Sequence, residues 1–275
     1  METILRLACA QMNSGDDMDA NCAAALALLE EASDRGAQLI TLPENAFLMR
    51  GSEEQTPPLF SLEDHPGIRL CREVAARRGV WVLIGSVFAP AEETKDKWYN
   101  RSVLLNASGE RVAEYDKIHL FDAQVEGDRH YLESARILPG KRMSIAETPW
   151  GGLGLSICYD LRFGHLYRDL AKAGASLIAV PAAFTATTGA AHWHTLLRAR
   201  AIETGCFIVA PAQCGQHPGG KRTYGHSLII DPWGTVLAEG SAGEPGVILA
   251  DLDPAQVTRT RCLLPSLHHD RPYET

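Results

Sequence analysis

The sequence predicts an α/β protein built as two similar halves. Two observations carry this. Short apolar, β-branched runs alternate with amphipathic helical stretches, and most of the helical stretches end at a glycine. The second half of the chain also repeats the style of the first, which suggests two sheets packed face to face with helices outside.

The elements follow in order. Residues 4–11 read as a first buried strand, 16–34 as an Ala/Leu-rich helix stopped by Gly36, and 38–42 as a short strand closed by Pro43. Residues 61–78 read as a helix stopped by Gly79, and 80–88 as a β-branched strand. Strands at 101–106 and 111–115 flank the turn Ala107-Ser108-Gly109-Glu110. In the second half, 152–157 read as a strand, 163–173 as a helix stopped by Gly174, 176–180 as a strand and 190–204 as a helix stopped by Gly205. Strands at 206–210, 227–230 and 246–250 complete the expected set, with Asp231-Pro232-Trp233-Gly234 as a turn. No linker or repeat interrupts the 275 residues, so one domain is expected over 1–275.

Composition narrows the function classes. The chain is 45% hydrophobic and 22% charged, which excludes a disordered polymer. A net charge of −8 makes nucleic acid and anionic membrane poor partners. Met1-Glu2-Thr3 does not begin a secretory leader, and no apolar run reaches membrane-spanning length. The seven cysteines are odd in number and lack a CxxC pair, so they read as reduced thiols of a cytoplasmic protein.

Three strand ends carry candidate chemistry. In Gly154-Leu155-Ser156-Ile157-Cys158-Tyr159-Asp160-Leu161-Arg162-Phe163, an apolar strand runs into Cys158 just before a helix. Backbone amides there can lower a thiol pKa and hold an oxyanion. Taken alone, Cys158 reads rather as a buried structural thiol. Leu42-Pro43-Glu44 puts a carboxylate where open α/β sheets place their active sites, although a single Glu there is usually solvated. Lys117, within Tyr115-Asp116-Lys117-Ile118-His119, sits between apolar residues, where an ammonium is costly unless paired or snorkelling.

Together, Glu44, Lys117 and Cys158 in this local context resemble the nitrilase, or carbon–nitrogen hydrolase, superfamily over nearly the whole chain. The resemblance implies an αββα sandwich that dimerises, or forms a higher homo-oligomer, through helical faces. It implies Cys158 as nucleophile, Glu44 as general base and Lys117 as oxyanion cation. Glu133 falls where a supporting glutamate is expected, or is a plain surface residue. With the backbone N–H of Tyr159 as a second oxyanion donor, these groups would hydrolyse an amide through a thioester, a chemistry that calls for neither metal nor organic cofactor.

Tyr159-Asp160 after the nucleophile resembles amidase branches rather than true nitrilases. The segment from Pro181 to Trp193 resembles the Nit branch, whose substrates are amides of 2-oxo dicarboxylic acids. Arg162 is then the candidate for a substrate carboxylate, or else pairs with Asp160 at a helix start. Phe184 and Thr188 line the acyl pocket, or simply pack core and turn. Segments 198–206, 212–217, 224–227 and 231–234 resemble the deaminated glutathione amidases more closely than the omega-amidases, which act on 2-oxoglutaramate. N-carbamoyl amino acid hydrolysis is a further alternative, and a non-catalytic scaffold lies outside the class. The carboxyl-terminal tail, about 262–275, could cross a subunit boundary or cover its own domain. Two other chemistries fit the sequence less well. A zinc site from His192, His194, Cys206 and Cys214 lacks a recognised ligand spacing. A Cys158–His192 or Cys158–His226 pair leaves Glu44 and Lys117 without roles.

Overall fold

A computed structural model describes residues 4–52, 55–94, 96–125 and 130–272. Met1 to Thr3 and the last three residues of the expected tail lie outside these. The strands are β1 (Leu5–Gln11), β2 (Leu39–Thr41), β3 (Trp81–Pro90), β4 (Trp98–Leu105), β5 (Arg111–Asp116), β6 (Asp122–Gln124), β7 (His130–Leu132), β8 (Ser144–Thr148), β9 (Gly151–Leu155), β10 (Ala175–Ala179), β11 (Phe207–Ala210), β12 (Cys214–Gln216), β13 (Arg222–Tyr224), β14 (Leu228–Ile230), β15 (Val236–Glu239) and β16 (Gly246–Leu252). The helices are α1 (Met18–Asp34), α2 (Pro66–Arg78), α3 (Gly164–Lys172), α4 (Ala186–Thr204) and α5 (Ala255–Leu263).

Two six-stranded sheets form, in the orders β16-β1-β2-β3-β4-β5 and β15-β14-β11-β10-β9-β8. In each, three central strands run parallel (β1, β2, β3 and β9, β10, β11) and the flanking strands are antiparallel. Strand alternation produces the layers. On β1, Leu5, Leu7 and Cys9 join the core shared with the second sheet, while Ala8 and Ala10 face Leu29, Ala32, Cys71 and Val74 of α1 and α2. The inner core continues through the second sheet to Leu166 and Leu170 of α3 and Trp193 and Leu197 of α4. The architecture is the expected αββα sandwich.

Helix boundaries follow local capping chemistry. Asp17 caps α1 by accepting from the amides of Asp19 and Ala20. The second helix starts at Pro66, not near Ser61, because Pro suits a first helical position and His65 caps it. The fourth starts earlier than expected, at Ala186, because Thr185 caps it. The expected strand set was incomplete. It lacked the edge strands β8 and β15 and the two ribbons, β6–β7 and β12–β13, and α5 was also unforeseen.

Part of the described tail packs on its own chain, while Leu263 and Leu264 are exposed. Arg261 donates to the carbonyls of Thr204 and Ala175, and Arg168 and Lys172 of α3 pair with Asp270. Among the described residues, no helix is long and apolar enough to cross a membrane. All seven cysteines are free thiols.

Candidate active site

The two sheets bring their strand exits together at one end of the sandwich. Gly85 lies at this contact: a Cβ there would sit 2.1 Å from the Leu42 carbonyl oxygen and 2.5 Å from Pro181 Cβ. Any side chain would force apart the loops carrying Glu44 and Ala183.

From the first sheet, Glu44 follows β2 and Lys117 follows β5 directly. Both are nearly fully buried. Lys117 Nζ lies 2.9 Å from Glu44 Oε1, and 3.0 and 2.9 Å from Glu133 Oε1 and Oε2. The Asn100 amide donates to Glu44 Oε1 at 2.8 Å and to Glu133 Oε1 at 3.4 Å. Glu44 Oε2 accepts from the Ala183 amide at 2.9 Å, and Glu133 Oε2 from the Phe121 amide at 2.6 Å. The ammonium is thus surrounded by carboxylates whose remaining oxygens are themselves satisfied, the condition a buried ion pair needs.

From the second sheet, Cys158 stands just past β9 in a left-handed conformation, φ 49°. Its N–H donates to Pro181 O at 2.9 Å. Asp160, fully buried, holds this sharp turn. It accepts from the Ile157 amide at 2.9 Å, the Tyr115 hydroxyl at 2.7 Å and the His119 amide at 2.9 Å, and it lies 2.7 Å from His119 Nδ1. An otherwise unfavourable φ is tolerated where surrounding bonds over-determine it.

Charges are divided clearly. Burial raises the Glu44 pKa, but the Lys117 charge and hydrogen bonds from Lys117, Cys158 and Ala183 outweigh it, so the carboxylate stays ionised below the usual Glu range. Burial lowers that of Lys117, yet Glu133 and Glu44 hold it well above normal. The Cys158 thiol is pushed well above its ordinary value by burial first and by the Glu44 charge second, against Lys117. This corrects the expectation of a thiol made acidic by strand-end amides. The resting proton sits on sulfur, beside a carboxylate able to accept it.

A sequence profile described as carbon–nitrogen hydrolase matches residues 6–262. The chain belongs to this family. A protein named deaminated glutathione amidase from Synechocystis sp. is 41% identical over 265 residues, covering 94% of this chain and 95% of its own. The C. elegans NitFhit crystal structure superposes with a TM-score of 0.88 at 35% identity, covering 98% of this chain and 66% of that one. An amidase from Nesterenkonia sp. AN1 is 27% identical with a TM-score of 0.77, covering 94% of each chain. It is described, in a Glu-to-Gln variant, with the acetamide moiety of fluoroacetamide added covalently at its active site cysteine.

In this carbon–nitrogen hydrolase, a cavity of about 90 Å³, open to solvent, lies over the cluster. Its walls contain Glu44, Lys117, Glu133 and Cys158, together with Asn100, Phe121, Tyr131, Ala183 and Thr185. They also contain Arg50, Lys221 and Arg222. Arg162, Phe184 and Thr188 are not among the described residues of this wall. Arg162 stacks over Tyr159 and Phe184, 5.7 and 5.1 Å from their ring centres, and its Nη1 lies 3.3 Å from His192 Nδ1. The alternative pairing with Asp160 is not formed, because that carboxylate serves the Cys158 turn. Phe184 packs on Trp193, and Thr188 bonds the Thr185 hydroxyl at the start of α4. The ring of Tyr159 packs on Phe121 and Phe163.

The rival clusters are not assembled. His226 and His194 both face Glu239 rather than Cys158, and Cys206 is buried beside Arg261. Sequence reasoning missed Asn100 and Asp160. A signal for Asn100 existed: Trp98, Asn100 and Ser102 share the buried face of β4, where an amide must find partners.

Proposed function

We propose that the chain hydrolyses the amide of deaminated glutathione, giving 2-oxoglutarate and cysteinylglycine, through a thioester on Cys158. The observation that carries this reading is the Cys158–Glu44–Lys117–Glu133 cluster at the floor of a cavity walled by Arg50, Lys221 and Arg222. Cationic walls suit a substrate carrying carboxylates, and Arg presents a fork matched to them. The likeness to proteins named deaminated glutathione amidase supports the particular amide.

In the reaction, Glu44 takes the Cys158 proton and the sulfur attacks the amide carbonyl carbon. Lys117 and the Tyr159 N–H stabilise the oxyanion, at about 3–4 kcal/mol for one well-placed donor. Glu44 returns the proton to the leaving nitrogen and cysteinylglycine departs. Glu44 then deprotonates a water that attacks the thioester, and the thiol regains its proton as 2-oxoglutarate leaves. Glu133 and Asn100 hold Lys117 and Glu44 in place.

The test is a comparison of kcat/KM for deaminated glutathione, 2-oxoglutaramate and N-carbamoyl amino acids. Deaminated glutathione is expected to be fastest. A faster 2-oxoglutaramate reaction would make the enzyme an omega-amidase with the same machinery, and activity surviving Cys158→Ala would refute the thioester route. We further infer that residues 1–275 act as one hydrolase domain in a reducing, cytoplasmic compartment. The copies pair into a homodimer or larger homo-oligomer, for which exposed Ile202, Trp233 and Leu264 offer an apolar surface. A monomeric mass by light scattering would reject the pairing.

A further inference from the structure

Away from the Cys158 cavity, three side chains from separate elements converge on one point. His194 comes from the middle of α4, Glu239 from the end of β15, and His226 from the loop between β13 and β14. His194 Nε2 lies 3.0 Å and His226 Nδ1 2.7 Å from the same oxygen, Glu239 Oε1. One ligand-capable atom from each residue falls within a 4.8 Å group.

The backbone is shaped around this meeting. His226 has φ 51°, uncommon for a residue with a side chain, and follows Gly225 at φ 69°. Its carbonyl is held by the Trp193 indole at 2.8 Å and its amide by Ser241 O at 3.0 Å. Trp193 is fully buried and precedes His194, so the residue that anchors the His226 loop also fixes where His194 emerges. The next turn of α4 is tied to the same region, since Arg198 donates to Gly234 O at 2.8 Å.

We propose that His194, His226 and Glu239 form a binding site for one divalent late first-row transition metal ion of the Zn²⁺ class. Two imidazoles and a carboxylate are a donor set that suits such ions, and water can complete a tetrahedron. Metal–ligand bonds of about 2.0–2.1 Å place neighbouring ligand atoms roughly 3.3 Å apart. Against that spacing the two His–Glu239 separations of 3.0 and 2.7 Å need to open by roughly 0.3 and 0.6 Å. Their side chains are 34%, 23% and 41% exposed, so Glu239 has room to move and solvent can deliver the ion. The bound ion would clamp α4, the His226 loop and β15 together. It stands apart from the reaction chemistry, which uses none of these residues.

The competing account is a hydrogen-bonded triad with two imidazole N–H groups on one carboxylate oxygen. Calorimetric titration of chelator-treated enzyme with Zn²⁺ separates the two. Because thiols also bind Zn²⁺, Cys158→Ala is titrated in parallel. One Zn²⁺ per chain is expected in both proteins, with a raised Tm. Binding should weaken at least about tenfold in each of His194→Ala, Glu239→Gln and His226→Asn, the last chosen because Asn tolerates positive φ. Circular dichroism checks that each variant is folded. Failure of the parent enzyme to take up Zn²⁺, equal affinity in folded His194→Ala and Glu239→Gln, or loss of binding in Cys158→Ala would each overturn the site.

Discussion

The two sheets contribute to the cavity in different ways. The first supplies charge: Glu44 and Lys117 lie at the ends of its strands, with the neutral Asn100 amide on an inner face, held by ion pairs and hydrogen bonds between side chains. The second supplies shape: Cys158 is placed by a left-handed backbone, a carbonyl from Pro181 and the fully buried Asp160. Neither sheet alone holds a reactive constellation. The difference teaches that charge can be grouped by mutual attraction, whereas a nucleophile must be aimed by backbone geometry.

The sharpest way to break the comparison is to remove the aimed group. Cys158→Ala should lower kcat by about 10⁴-fold or more while the fold survives, by analogy with other covalent nucleophiles. Acyl-enzyme detected by mass spectrometry in the parent, and absent in the variant, checks it.

Removing the central charge should damage both activity and stability. Lys117→Met leaves Glu44 and Glu133 facing each other without a cation. It should reduce kcat at least about 10²–10³-fold through the oxyanion and destabilise the fold by about 3–5 kcal/mol. Urea unfolding beside steady-state kinetics reads both. A variant as stable as the parent would mean the carboxylates do not depend on the ammonium.

Asp160→Asn tests aiming against charge. The amide cannot accept all the donors now served, so the Cys158 turn should loosen at a cost of about 1.5–3 kcal/mol. The effect should fall on kcat with KM little changed. A variant with higher KM and normal kcat would place Asp160 in substrate binding instead.

Acid should reach Glu44 only below the ordinary Glu range. The folded Glu44 pKa is depressed, so its contribution to stability is present above the ordinary Glu value of 4.5 and is lost as pH falls through the folded pKa. The free enzyme should therefore keep kcat/KM constant down to about that value on its acid side as far as Glu44 is concerned. An acid limb near neutrality, carried by Glu44, would contradict the assignment. The smallest effect is expected at the rim: Arg222→Ala should raise KM for a dicarboxylate substrate by about tenfold, the scale of one charge-assisted contact, with kcat nearly unchanged.

Much of this was legible in the chain because the informative features are local. Strand periodicity, glycine stops and the polar residues directly beyond apolar runs locate Glu44, Lys117 and Cys158 without any knowledge of what packs where. Edge strands such as β8 and β15 were missed because half-exposed strands with mixed composition lack a firm apolar run. The helix α5 was missed because its β-branched and polar residues carry little amphipathic signal.

From the sequence alone came an α/β class, by periodicity, and, through the resemblance of its motifs to the carbon–nitrogen hydrolases, the αββα architecture and the three polar groups at the strand ends, since motifs and periods are short-range patterns. Only the tertiary structure decided what those groups meet. It turned Asp160 from a partner of Arg162 into the anchor of the Cys158 turn, and raised the thiol pKa where strand-end amides alone predicted a fall. It also put Arg50 and Arg222 in the cavity wall, and set Arg162 over the rings of Tyr159 and Phe184. Charge pairing, burial and the direction of a long side chain depend on neighbours distant in sequence. Those neighbours exist only once the two sheets have closed.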